Sequence, residues 1–78
     1  MKFEALTYNR GPMKLTVNGE ERDARDGGTL QDLVRELALE GRPIAVELNR
    51  RVVPRDRYGG TLLAEGDRLE IVTLVGGG

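Results

Sequence analysis

The chain has 78 residues, 38% of them apolar, and 12 basic against 13 acidic side chains leave a net charge of -1. That is the size and composition of one small globular domain, without the basic footprint of a nucleic-acid binder and with no apolar run near the roughly 20 residues of a membrane span. There is no Cys and no His, which excludes disulfides, thiolate nucleophiles and Cys-based metal sites and removes the usual proton-transfer side chain near neutral pH.

Residues 1–12 differ in character from the rest of the chain. Met13, after Gly11-Pro12, is expected to open the domain proper, with 1–12 a flexible extension or leader. Glu4, Thr7, Asn9 and Arg10 interrupt any apolar segment of the kind a secretory signal needs, so cytoplasmic residence is expected.

"MKLTVNGEER" begins with Leu15 and Val17 alternating with Lys14 and Thr16, the period-two pattern of a half-buried strand. Asn18-Gly19 then signals a tight hairpin. The return strand, about Glu20 to Arg25, is nearly all charged apart from Ala24, which suits a sheet edge.

In "DGGTLQDLVRELALEGRP", Thr29 is a good N-cap and Asp32 completes the carboxylate version of a capping box. Leu30, Leu33, Val34 and Leu37 fall on one stripe, while Gln31, Asp32, Arg35 and Glu36 face water. With Gly41 as a left-handed C-cap and Pro43 blocking resumption, the pattern predicts an amphipathic helix of about three turns. Gly27-Gly28 lacks the Gly-Lys-Ser/Thr continuation of a phosphate cradle and is flanked by Asp26 and Asp32, so it reads as a turn.

"IAVELN" alternates Ile44, Val46 and Leu48 against Ala45 and Glu47. Asn49-Arg50 can turn it into the short strand Arg51-Val52-Val53, ended by Pro54. "RDRYGGTLLAEGD" reads as loop, and Arg50, Arg51, Arg55 and Arg57 as a solvated basic cluster. The last strand, Arg68 to Val75, has Leu69 and Ile71 on one face and Val72 and Leu74 on the other, which marks a central strand. If the first and last strands are parallel neighbours, the helix covers Leu15, Val17, Ile44, Val46, Leu69 and Ile71 in one α+β roll. Val72 and Leu74 are left over, to be covered by a loop or displayed for docking.

This order resembles the β-grasp fold of ubiquitin, a mixed sheet with one amphipathic helix on one face. "VNGEER", "GTLQDLV", "IAVELNRRVVPRDRY" and "EGDRLEIVTLVGGG", in unbroken order over residues 13–78, resemble the bacterial ThiS family of sulfur carriers. The resemblance implies a β-grasp domain over 13–75 and a flexible glycine tail over 76–78. It implies a protein co-substrate in thiamin biosynthesis rather than an enzyme, with no catalytic residue, metal or bound cofactor of its own. The Gly78 carboxylate would be adenylated with ATP by a ThiF-like enzyme and take sulfur from a persulfide donor. The resulting thiocarboxylate would deliver that sulfur to a ThiG-like thiazole synthase. Gly76 and Gly77 would thread the partner's active site, since three extended residues reach roughly 10 Å and glycine adds no width. Val72, Leu74 and Val75 would form the docking patch. A MoaD-like carrier for molybdopterin, a carrier for another sulfur metabolite, and a non-carrier interaction module of the same fold stay open as alternatives.

Overall fold

The computed structural model describes residues 12–74. The expected extension, all of it but Pro12, therefore lies outside the described residues, as do Val75 and the glycines after it. The order of elements is β1 (Met13–Val17), β2 (Glu20–Ala24), α1 (Leu30–Glu36), β3 (Ile44–Leu48), β4 (Arg51–Val52), a 3-10 helix (Arg55–Gly60) and β5 (Arg68–Thr73). One five-stranded sheet runs β2-β1-β5-β3-β4. The pairs β1–β2, β3–β4 and β3–β5 are antiparallel, and β1–β5 is parallel. The last strand is thus central, as its two apolar faces require, and the charged β2 is an edge.

Both hairpins turn on residues with positive φ. Asn18 and Gly19 take 52° and 84°, and Asn49 and Arg50 take 51° and 73°. Two successive left-handed residues make the turn whose twist matches the flanking strands. Arg50 holds that geometry with a Cβ, at a steric cost that glycine would avoid.

The core is a single layer between α1 and the sheet. Leu30, Leu33 and Val34 of α1 meet Leu15, Val46 and Leu69, all essentially without solvent contact. Val17, Ile44 and Ile71 complete the expected sheet face. Thr29 caps the helix as its spacing predicts: its Oγ1 accepts from Asp32 N–H (3.1 Å), and Asp32 Oδ2 accepts from Thr29 N–H (2.9 Å).

Two expectations are corrected. The helix has seven residues, close to two turns rather than three, and Gly41 is not its C-cap residue. It stops at Leu37, where Ala38 takes φ 61°. Ala38 N–H donates to Arg35 O and Leu39 N–H to Val34 O, each at 3.0 Å. That pair of bonds is a Schellman ending, which turns Leu39 back against the core. The signal at Gly41 belongs to a second turn, in which Arg42 N–H donates to Leu39 O and Gly41 takes φ 79°.

The second correction concerns "RDRYGG", which is a 3-10 helix rather than loop and buries Tyr58 to 3% exposure. The chain after it runs beside the start of α1, with Leu30 N–H donating to Thr61 O (2.8 Å) and Leu63 N–H to Gly28 O (3.0 Å). Leu63 joins the core through that pairing, and so does Met13 at the start of β1.

Candidate functional site: the bare sheet face and the exit of β5

Strand alternation puts Leu69, Ile71 and Thr73 on the helix side of β5 and Glu70, Val72 and Leu74 on the other. No helix or loop among the described residues covers that second face. Val72 and Leu74 are each 52% exposed, so no described loop covers them as a second apolar cluster. Ala45 stands opposite Val72 across the β3–β5 pair, and Val52 of β4, 70% exposed, stands opposite Glu47 in the neighbouring row. The result is an apolar patch of Ala45, Val72 and Leu74, with Val52 one row away beside Glu47.

A row below, Glu47 and Glu70 face each other directly. Like charges in opposed positions do not help a sheet. They form the floor of a shallow basin of about 700 Å³ whose rim includes Arg50 and Arg68. Of the expected arginine cluster, Arg50 sits in the turn, Arg51 in β4, Arg55 and Arg57 in the 3-10 helix, and Arg55 donates to Arg42 O (2.7 Å).

What positions β5 was not foreseen. Asn18 N–H donates to Leu69 O (2.8 Å), and its carboxamide accepts from Ile71 N–H (2.7 Å) and donates to Ile71 O (3.0 Å). On the opposite flank Asn49 accepts from Arg68 N–H (3.0 Å), donates to Asp67 Oδ1 (3.0 Å) and gives its backbone N–H to Arg68 O (2.8 Å). Each turn asparagine therefore does two jobs, closing a hairpin and clamping the central strand from one side. The Asn-Gly and Asn-Arg pairs announce turns, and nothing in their spacing to residues 68–71 announces the clamp.

Of the residues singled out in advance, Val72 and Leu74 are together on the bare face. Val75, Gly76, Gly77 and Gly78 lie outside the described residues. No group of three or more acidic side chains among the described residues is arranged to hold a metal ion. No helix among them is long and apolar enough to cross a membrane.

A helix backed on a five-stranded mixed sheet, with β1 and β5 parallel at its centre, defines a ubiquitin-like β-grasp domain. The chain belongs to the ThiS family, whose model matches residues 6–78. Over 65 residues it is 38% identical to the sulfur carrier protein ThiS of Bacillus subtilis, a match covering 82% of this chain and 98% of that one. Over 66 residues it is 44% identical to a thiazole synthase of Paramagnetospirillum magneticum, and 42% identical to one of Magnetococcus marinus. Those matches take in 85% of this chain, which spans 20% of the length of each of these two relatives. A crystal structure of the thiamine biosynthesis protein ThiS from Geobacter metallireducens superimposes with a TM-score of 0.72 at 32% identity, covering 85% of this chain and all of that one.

Proposed function

We propose that this protein carries sulfur for thiazole formation in thiamin biosynthesis, as a co-substrate of other enzymes. The observation that carries the reading is the family match, which runs from residue 6 through Gly78 and so takes in the glycine tail. A carboxylate is a poor acyl donor. Attack of a Gly78 carboxylate oxygen on the α-phosphorus of ATP, with loss of pyrophosphate, makes an acyl-adenylate. A persulfide then displaces AMP, and a second thiol reduces the new S–S bond, leaving the thiocarboxylate on Gly78. A ThiF-like enzyme and a persulfide donor supply that chemistry, and the carrier supplies the reach of Gly76 and Gly77 and a surface to hold.

Val72 and Leu74, with Val75 leading into the tail, are the surface proposed for docking. Apolar area displayed in a row on a small domain is where a partner gains most from excluding water. A ThiG-like thiazole synthase as acceptor is supported by the relatives of that name, in which a homologous segment makes up a fifth of the chain. Two functions joined in one polypeptide are functions that meet.

The test is an intact-mass measurement after incubation with the adenylating enzyme, ATP and a persulfide donor. Exchange of one oxygen for sulfur, mapped to the Gly78 peptide, is the expected outcome. An unmodified tail, under conditions where another ThiS protein is converted, removes the carrier reading.

A further inference from the structure

We propose that β5 offers a free strand edge at Thr73, and that the enzyme receiving the tail pairs an extended segment of its own with it. The proposal rests on the carrier reading and adds to it the manner in which the tail is held.

On one flank of β5 the ladder is complete to its end. The strand pairs with β3 up to Ile44↔Thr73, and Leu74 N–H then donates to Pro43 O (2.7 Å). On the other flank β1 reaches only Val17↔Leu69 before it turns away. Asn18 substitutes for a strand over one further step by taking both the N–H and the C=O of Ile71. In a strand the polar groups of alternate residues point the same way. The N–H and C=O of Thr73 therefore point to the side of β1, two residues past the last substitute, and no described residue takes either of them.

Beside this edge lies a groove of about 470 Å³ with an apolar wall of Val17, Leu37, Leu39 and Ile71. Arg22 lines it too, and its buried Nε has no hydrogen-bond partner among the described residues. A strand laid along the line that β1 abandons would find a backbone donor and acceptor at Thr73 and a wall that accepts an aliphatic or aromatic side chain.

The occupant is set by where the chain goes next. Residues 75–78 span at most about 14 Å. An active site that takes Gly78 must lie within that reach of Leu74, so its wall comes against this edge. Backbone pairing is also the one grip available on a segment of glycines, which present no side chains.

Thr73→Pro removes the edge donor and costs no bond within the fold, because the Thr73 N–H faces away from β3. Thr73→Val changes the side chain and keeps the donor. Adenylation is read by ATP–pyrophosphate exchange with the adenylating enzyme, and folding by circular dichroism. Thr73→Pro should lower kcat/KM about tenfold relative to Thr73→Val, the loss of one backbone hydrogen bond. In the complex of the parent protein with that enzyme, Thr73 amide exchange should slow while that of Val72, already facing β3, changes little.

Equal kcat/KM for folded Thr73→Pro and Thr73→Val, or a Thr73 amide whose exchange is unchanged in the complex, overturns the strand pairing and leaves the carrier reading intact. A parent protein that is not adenylated at all removes both. Should Thr73→Pro fail to fold, the amide measurement on the parent decides.

Discussion

Replacing Asn18 separates the two jobs that its side chain and backbone perform. Its carboxamide makes two part-buried hydrogen bonds to Ile71, on a stretch of β5 that β1 no longer reaches. Its backbone holds φ 52°, where an ordinary residue is strained. Asn18→Gly keeps the turn and loses only the clamp. At about 1 kcal/mol for each hydrogen bond, the loss is about 2 kcal/mol. Asn18→Ala adds the left-handed penalty of a Cβ, on the order of 1 kcal/mol more. A domain of this length has roughly 4–12 kcal/mol in total, so the glycine variant should melt about 8–16 °C lower. Urea denaturation with an unchanged slope measures the difference, and amide exchange at Ile71 shows whether the clamp is what was lost. A glycine variant within about 0.5 kcal/mol of the parent would refute the clamp, that margin being the ordinary scatter of surface substitutions. Equal stability of the glycine and alanine variants would refute the strain component.

Other consequences are open to equally direct measurement. Ala38→Gly should raise stability by about 0.5–1 kcal/mol, because Ala38 is exposed and its φ of 61° suits glycine; a lower melting temperature would contradict the Schellman geometry. The Asp32 carboxyl, held by the Thr29 backbone N–H, sits below its ordinary value of 3.8. Its contribution is therefore complete above that value and is lost as pH falls through the lowered one. Asp32→Asn should flatten this part of the acid limb of the stability curve, and superimposable limbs for parent and variant would count against it. Leu74→Asp should reduce adenylation while leaving the melting temperature close to the parent's, whereas unfolding would place Leu74 in the core.

The apolar periodicities were enough to mark the buried faces and the central strand. Leu15 and Val17, Ile44 and Val46, and Leu69 and Ile71 each mark a buried face, and the extra pair Val72 and Leu74 made the last strand central. The Thr29-Asp32 cap was equally readable, because a cap is chemistry between residues three apart. The helix end was not. Ala38 is a poor candidate for a left-handed residue by itself, and it adopts that geometry because the turn brings Leu39 back onto the core. Tyr58 gave no periodic signal, since one aromatic ring in a 3-10 helix needs no repeat to be buried. The candidate site divides in the same way. Val72 and Leu74 were visible as apolar residues without a place in the core, while the clamps from Asn18 and Asn49 span 53 and 18 or 19 residues of sequence.

What the sequence determined by itself was local and periodic: two turn pairs, one capped helix, a charged edge and a strand apolar on both sides. These arise from backbone sterics and from which side chains leave water, and they hold whatever the rest of the chain does. The tertiary structure decided where β1 stops along β5, and hence that Asn18 completes the pairing and that no described residue pairs with Thr73 on that side. That depends on the register between strands at opposite ends of the chain. Register is set when the whole core packs at once, so no short stretch of residues contains it.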